Sequence, residues 1–335
     1  MANITFTEGS GLQDSIFGKS QAPIRMFLEK RGEAFEQASM LPELFSMGTS
    51  KHWGEKFTTM TAMDGFQPVG ENGAYPQDEM QEGYKKFLEH VTWKDYFAIS
   101  REAVEDGKLM NLRQKPMAFV KGYHRTREEF GARLFANAMA GKTSMALNGM
   151  TFDLTGADGV ALFSKNHASK VDKKKTQCNV FSDAFSASAL GKLETRMQHF
   201  EGDAGNLLDV SPTTILIPNV AAAKEAVFAA IGADKDPATS NNAFNYQFGR
   251  WNVICWSYLD KFLPVSGDSF PWMLIDDNYN QNYGGAVWYD RTELDIRSEL
   301  ARNDANEWLG YARFVGGFND WRFAACGGIS GADAL

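Results

Sequence analysis

The feature that most restricts the fold of this chain is a run of glycine and proline between Asp64 and Gly83. These residues recur every few positions, at Gly65, Pro68, Gly70, Gly73, Pro76 and Gly83. Such a run excludes a long helix, because proline lacks an amide donor and glycine costs backbone entropy. Strand-like residues flank it at 56–62 and 86–100. The pattern therefore predicts a long two-stranded loop whose tip has few apolar residues to form a core of its own.

A second constraint is a long amphipathic pattern over Met117–Met139, which predicts the longest helix of the chain. Its apolar stripe consists of Val120, Tyr123, Phe130, Leu134 and Ala138, and Arg127 interrupts this stripe. Charged residues occupy the other face, at Lys121, Arg125, Glu128, Glu129 and Arg133. We place Pro116 near the first turn, where proline is tolerated, and expect Gly141 to end the helix.

The remainder of the chain mixes helical and strand patterns without a strict alternation, which indicates an α+β fold. Residues 1–50 are typical of an arm rather than of a self-sufficient domain. Helices are predicted over 24–37, 188–200 and 220–231. We expect Asn219 to cap the last of these helices. Strands are predicted over 213–217, 248–256, 272–275, 286–299, 308–315 and 321–325.

Composition excludes several classes of protein. The chain has 335 residues, 44% of them hydrophobic, and a net charge of -8. The negative charge argues against a general nucleic-acid binder. No apolar run of about 18 residues and no secretory signal pattern occurs, so we expect neither a membrane span nor export. Cys178, Cys255 and Cys326 are too widely spaced for a disulfide framework or a zinc site and favour a reducing cytoplasm.

Motifs typical of enzymes are weak. Residues 136–143, which end in Gly141-Lys142-Thr143, approximate a phosphate-binding loop, but they follow a predicted helix instead of a strand. The acidic run that begins at Asp276 has Gln281 and Val287 where a calcium loop needs Gly and Glu, so we expect a polar turn there. The histidines are dispersed. We therefore expect no catalytic residue, no cofactor and no metal, and a nucleotide hydrolase using the phosphate-like loop is the alternative from another class.

Charged clusters have simple interpretations. Lys173-Lys174-Lys175, with Lys165 and Lys170 nearby, is the basic cluster of the sequence; it could touch phosphate, but a hydrated, mobile loop is the simpler hypothesis. The carboxylate pair Glu128-Glu129 and the pair Glu293 and Asp295 are interpreted as solvated faces of amphipathic elements.

The order of these elements resembles that of the major capsid protein of tailed phages, which has the Hong Kong 97 fold. The corresponding parts are an N-terminal arm (1–50), an extended loop (56–96), a spine helix (115–140), an α/β region and the long strand over 286–299. Local sequence resembles the Mu-type major head subunit. Three stretches carry this finer resemblance: Ser100–Asp106, Asp158–Ser164 with His167, and Asn319-Asp320-Trp321-Arg322.

The resemblance implies a structural protein without enzymatic activity. A peripheral domain would comprise 97–150 and 286–317, and an axial domain would comprise 151–285 and 318–335. Copies of the chain would form the pentamers and hexamers of an icosahedral shell in the virion, after a stage in the host cytoplasm. An encapsulin, which is a cellular compartment built on the same fold, is the alternative.

The resemblance also implies partners. These are a separate scaffold, a separate maturation protease, a portal, and packaged double-stranded DNA that is bound without sequence recognition; no membrane is involved. The tip of the extended loop is expected to dock on another surface, in this subunit or in a neighbour. The candidate interface residues are Phe66, Pro68, Tyr75 and Pro76. The acidic balance would keep the shell from adhering to the genome.

Overall fold

Helices and strands both occur throughout the chain, which confirms the α+β class. The computed structural model describes residues 5–7, 35, 38–60, 66, 68–71, 73–75, 77, 82–102, 109–233, 244–263 and 270–329. Within these ranges the helices are α1 (Leu41–Leu44), α2 (Leu109–Met139), α3 (Ala187–Gln198), α4 (Ala221–Ile231), α5 (Ser257–Asp260) and α6 (Asp277–Tyr283). Apart from Phe35, the helix predicted over 24–37 lies outside the described residues.

The strands fall into two larger sheets and three small hairpins. They are β1 (Thr5–Thr7), β2 (Ser46–Thr49), β3 (Gly54–Met60), β4 (Glu82–Glu89), β5 (Val91–Ile99), β6 (Ser144–Leu147), β7 (Met150–Asp153), β8 (His167–Ala168), β9 (Thr176–Gln177), β10 (Thr214–Pro218), β11 (Asn252–Trp256), β12 (Trp272–Ile275), β13 (Ala286–Leu300), β14 (Asn306–Phe318) and β15 (Ala324–Gly327). The small hairpins pair β3 with β4, β6 with β7, and β8 with β9.

The first larger sheet has five strands in the order β1-β13-β14-β5, and β2 also pairs with β13. Its centre is the long antiparallel pair of β13 and β14, in which Ala286 lies opposite Phe318 and Leu300 lies opposite Asn306. The long strand predicted over 286–299 is thus confirmed. The single strand expected over 86–100 is two strands, because β4 pairs with β3 whereas β5, after His90, pairs with β14.

Helix α2 packs its apolar stripe against this sheet and is longer than the sequence pattern indicates. Phe130 and Leu134 are fully buried, as predicted. The helix begins at Leu109, so Pro116 lies inside it and not in its first turn. That placement is a correction. Pro116 is buried, and as a proline inside the helix it contributes no amide hydrogen bond to the preceding turn.

The second larger sheet has four strands in the order β11-β10-β12-β15. Every residue of β10, β12 and β15 is buried, so these strands appear in the sequence as continuous apolar runs. Gly327 is needed here because a Cβ at this position would lie 2.2 Å from the ring of Trp272. The strand predicted over 321–325 begins instead as a 3₁₀ turn, Trp321–Phe323, because the Asp320 side chain caps that turn.

Two further local predictions are wrong. Asn219 does not cap α4; its side chain donates a hydrogen bond to Ser257 Oγ at 2.8 Å, and Val220 precedes the helix. The polar turn expected after β12 is α6, since the Asp276 carboxylate accepts a hydrogen bond from the Tyr279 amide and so caps a helix. Within the described ranges no helix combines the length and the apolar character that crossing a membrane requires.

Candidate intersubunit surfaces

The hairpin of β3 and β4 is held firmly at its root. The Lys86 side chain is buried, and its ammonium group donates to Asp153 Oδ2 at 2.5 Å and to the carbonyl and hydroxyl oxygens of Thr155, each at 2.9 Å. Burial raises the pKa of the Asp153 carboxyl, but hydrogen bonds from Lys86 and Thr155 outweigh it and hold that pKa below its usual value. Leu88 of β4 packs against valines of β13 and β14. These contacts fix the direction in which the hairpin leaves the subunit.

A second clamp holds the outer part of the same strand. Lys170 Nζ donates to the carbonyl of Glu82 at 2.8 Å and also to the carbonyl of Gly83. The Tyr84 hydroxyl donates to the carbonyl of Ala168 at 3.3 Å. The Lys170 ammonium group therefore binds the hairpin and is more than a hydrated charge in a loop, which corrects the prediction for this residue.

We call residues 61–81, which connect β3 to β4 in the sequence, the tip of the hairpin; the structure describes 66, 68–71, 73–75 and 77 of them. The side chains of Phe66 and Tyr75 are fully exposed, at 109% and 99% of their reference areas, and Val69 is more than half exposed. Pro68 is exposed as well, and Pro76 lies outside the described residues. The structure thus places the three described interface candidates on one exposed tip. Aromatic side chains that contact nothing in their own subunit are typical of a surface that binds a partner.

Next to the outer clamp lies a basic turn, residues 170–175, which we call the lysine turn. The Ser169 hydroxyl accepts the amides of Val171 and Asp172, each at 3.2 Å, and the Asp172 carboxylate accepts the amide of Lys174 at 3.0 Å. The turn therefore has a defined, hydrogen-bonded backbone, whereas the sequence suggested a mobile loop. The side chains of Lys173, Lys174 and Lys175 are exposed.

Two of the stretches that carry the finer family resemblance meet in the interior. His167 Nδ1 lies 2.6 Å from Asp158 Oδ2, and His167 Nε2 lies 3.2 Å from Asn179 Oδ1. The His167 ring stacks on Trp321, with ring centroids 4.2 Å apart and an angle of 12° between the planes. His167 is only 1% exposed. This arrangement positions loops and offers no access to a substrate.

The closing turn contributes a second buried polar cluster. Arg322 bridges two carboxylates, with nitrogen–oxygen distances of 3.1 Å to Asp203 and 3.3 Å to Asp320. The Tyr279 hydroxyl donates to Asp320 at 2.9 Å, and burial together with this carboxylate raises the pKa of Tyr279. Buried charges require such partners, since each would otherwise destabilise the fold by several kcal/mol.

Helix α2 contributes charged contacts that sequence reasoning missed. Arg127 forms a bidentate pair with Asp290 of β13, at 2.6 and 2.8 Å. Glu128 is buried, which corrects its assignment to a solvated face. Its carboxylate accepts hydrogen bonds from the Ser39 hydroxyl at 2.5 Å and from the Trp256 indole at 3.0 Å. Burial raises the pKa of Glu128 against the effect of these donors.

A comparison with known families matches residues 84–326, more than half of the chain, to a family described as phage capsid protein. The chain belongs to this phage capsid protein family. It is accordingly a major capsid protein, a structural component of the virion that assembles with copies of itself, and not an enzyme. The surfaces that matter are therefore those that meet other subunits.

Solved structures show that this capsid protein has a Hong Kong 97-type fold. The capsid of cyanophage P-SCSP1u matches with a TM-score of 0.51 at 10% identity, over 87% of this chain and 88% of that chain. A protein of Mycobacterium phage Patience matches with a TM-score of 0.50 at 12% identity, over 98% and 93%. The SrpI encapsulin of Synechococcus elongatus matches with a TM-score of 0.50 at 9% identity, over 86% and 85%. No curated protein sequence matches.

The phosphate-like loop of this capsid protein is a helix end. Gly141 has a φ of 71°, which terminates α2, and β6 follows where a phosphate-binding loop needs a helix. Lys142 Nζ donates to Asn137 Oδ1 at 3.0 Å. In the described part of the chain, no three His, Cys, Asp or Glu side chains lie close enough to hold a metal ion.

Proposed function

We propose that this capsid protein assembles into the pentamers and hexamers of an icosahedral shell that encloses double-stranded DNA. The observation that carries the proposal is the hairpin, because its root is fixed to its own subunit while Phe66 and Tyr75 in its tip are fully exposed. A hairpin laid across a neighbour supplies contact area without a deep pocket. A closed shell needs many contacts that are individually modest, so that wrongly placed subunits can dissociate. Phe66, Pro68, Tyr75 and Pro76 are the proposed contacts of the tip.

The arrangement of the sheets supports a division into two domains. The proposed peripheral domain, 97–150 and 286–317, contains α2 and nearly all of the central strand pair of the five-stranded sheet. The proposed axial domain, 151–285 and 318–335, contains all strands of the four-stranded sheet. The hairpin lies between β2 and β5 in the chain and would reach a neighbouring subunit, while the axial domains would meet around the symmetry axes.

The finer relationship to the Mu-type head subunit is part of the proposal. Its support is local sequence, and the contact between His167 and Trp321 gives two of those stretches a shared structural role. We also infer that the scaffold, the maturation protease and the portal are separate proteins, as the resemblance implies, and that the free subunit resides in the host cytoplasm before assembly.

The net charge of -8 supports a shell wall that does not retain the genome. Assembled shells should therefore bind double-stranded DNA weakly even at low salt, where electrostatic binding is strongest. A filter-binding or gel-shift titration of purified empty shells measures this affinity. Tight binding by intact shells would contradict the proposal.

The decisive experiment is overexpression followed by size-exclusion chromatography and negative-stain electron microscopy. We expect closed shells, or free pentamers and hexamers, and a solitary monomer at high concentration would contradict the proposal. The likeness to the SrpI encapsulin favours a cellular compartment as the second candidate function. An enzyme that copurifies inside shells isolated from the native host would support that candidate, and shells filled with DNA would exclude it.

A further inference from the structure

The tip segment and the lysine turn of this chain carry opposite charge. The tip contains four carboxylates, Asp64, Glu71, Asp78 and Glu79, and no Lys, Arg or His. The lysine turn carries three exposed ammonium groups beyond the one that clamps the hairpin. Among the described residues none of these three groups forms an ion pair. The lysine turn is therefore complementary in charge to the tip and has no ionic partner among the described residues.

The surface beside the lysines also exposes apolar side chains, which match the aromatic side chains of the tip. Val171 in the lysine turn and Leu207 in the adjacent loop are exposed, at 56% and 59%. Hydrogen bonds hold the two loops together, from the Ser169 hydroxyl to the carbonyl of Asp203 at 2.9 Å and from the Gln177 side chain to the carbonyl of Glu201 at 2.8 Å. A Cβ at Gly205 would lie 3.5 Å from Lys175 Nζ, which brings this loop against the lysines. Exposed aliphatic groups next to ammonium groups match a tip that combines aromatic and acidic side chains.

The described aromatic side chains of the same subunit's tip do not cover this surface. Phe66 and Tyr75 are fully exposed although the strand that leads to them is clamped by Lys170, at the lysine turn itself. Glu71 is exposed as well. An intramolecular contact would have buried part of these side chains, so the complementary tip has to come from another copy.

We propose that the lysine turn, with Val171 and Leu207, is the docking site for the hairpin tip of a neighbouring subunit. This inference rests on the proposed shell and names the surface that receives the tip. DNA is the other polyanion that three lysines could meet. The aliphatic groups favour the tip, because a phosphate backbone gains nothing from them whereas Phe66 and Tyr75 gain burial. Electrostatic complementarity of this kind sets which surfaces meet and in which register.

Disulfide trapping in purified shells tests the contact directly. The test variant combines Ala74→Cys in the tip with Val171→Cys in the lysine turn, and the shells are oxidised and run on a non-reducing denaturing gel. We expect a ladder of covalent multimers, because each subunit joins one neighbour through its tip and another through its turn. The two single variants control for Cys178, Cys255 and Cys326, and Ala74→Cys with Glu225→Cys on α4 controls for random collision; all three should remain monomeric.

Each alternative outcome of the trapping experiment would contradict a specific claim. Shells that yield no ladder overturn the docking while leaving the proposed function intact. A faster-migrating monomer, which indicates a disulfide within one chain, overturns docking between subunits. Failure of the wild-type chain to form any shell or capsomer overturns the proposed function and the docking together.

Charge reversal supplies an independent readout. Replacing Lys173, Lys174 and Lys175 with Glu should leave thermal unfolding of the free subunit unchanged, since these side chains are exposed. It should raise the subunit concentration needed for assembly about tenfold at low salt. Adding Glu71→Lys should restore part of the lost assembly. We expect no such rescue if the turn only supports the fold of its own subunit. A triple variant that assembles normally but has lost DNA binding would assign the turn to the genome and overturn the proposal.

Discussion

Helix α2 and the β3–β4 hairpin are both long elements, but they use their length differently. The helix buries its apolar stripe in its own subunit, where Phe130 and Leu134 are at most 1% exposed. The hairpin buries only its root, and its tip presents Phe66 and Tyr75 to solvent. The comparison teaches that this chain separates stability from assembly: changes along the helix should unfold the subunit, and changes at the tip should spare the subunit and weaken the shell.

The largest expected effect is at the centre of the helix. Leu134→Asp should abolish folding, because an unpaired carboxylate in a dry core costs several kcal/mol on top of the lost packing. Lys121→Asp on the exposed face of the same helix is the matched control and should fold. Solubility and circular dichroism check both variants. A soluble Leu134→Asp subunit with native secondary structure would show that the stripe is not core.

The next effect concerns the charge that interrupts the stripe. Arg127→Ala should destabilise the subunit by about 3–5 kcal/mol, because it removes the bidentate cation from the largely buried Asp290 carboxylate, which keeps a hydrogen bond from the Trp288 indole. Arg125→Ala, at an exposed position two residues earlier, should change stability little. Denaturant unfolding measures both. Adding Asp290→Ala to Arg127→Ala should recover part of the loss, and a loss below about 1 kcal/mol for Arg127→Ala would contradict this account.

The buried His124 of helix α2 should make the stability of the subunit depend on pH. Burial, with the Arg127 charge as a second cause, lowers the pKa of His124 to about 4. The unfolded chain then binds more protons than the folded one between pH 6.5 and about 4, so stability should fall as the pH falls through this window, by on the order of 3 kcal/mol. His124→Phe, beside the rings of Phe35 and Tyr123, should flatten that slope, whereas the exposed control His52→Gln should not. Unfolding midpoints of the wild type and of both variants, measured at several pH values, test this expectation.

At the root of the hairpin the expected effect is smaller. Lys86→Met should cost about 2 kcal/mol, since it removes three hydrogen bonds from a buried ammonium group while Asp153 stays accessible to water. Lys85→Met is the matched control, because this lysine pairs only with Glu82 at the surface, and should cost less than about 0.5 kcal/mol. Equal unfolding free energies for the two variants would show that the root is not clamped.

The smallest effect on subunit stability is expected at the tip. Phe66→Ser with Tyr75→Ser should leave the unfolding midpoint unchanged, because both side chains are already in water. The double variant should assemble poorly, with about a tenfold higher concentration needed for shells. Ala74→Ser is the control at the same tip. Light scattering during assembly measures the difference, and normal shells from the double variant would remove the tip from the interface.

The sequence was informative where a local pattern decides the structure. The repeat of apolar residues every three to four positions predicted the buried face of α2 from Val120 onward, and the apolar run Trp272–Ile275 predicted β12. It was wrong at Pro116, because α2 already begins at Leu109, and at Glu128, because Ser39 and Trp256 bind its carboxylate in the interior. The interface candidates came from the residue types of the loop alone; Phe66, Pro68 and Tyr75 are exposed, and Pro76 lies outside the described residues.

What the sequence determined by itself is the α+β class, the long helix and strand, the glycine- and proline-rich tip and, through the order of these elements, the likeness to a capsid subunit. What only the tertiary structure decided is which charges are buried together. Arg127 meets Asp290 across 163 positions and Lys86 meets Asp153 across 67. No periodicity connects such residues, because their attraction acts only once the sheets and the helix have brought them within a few ångströms.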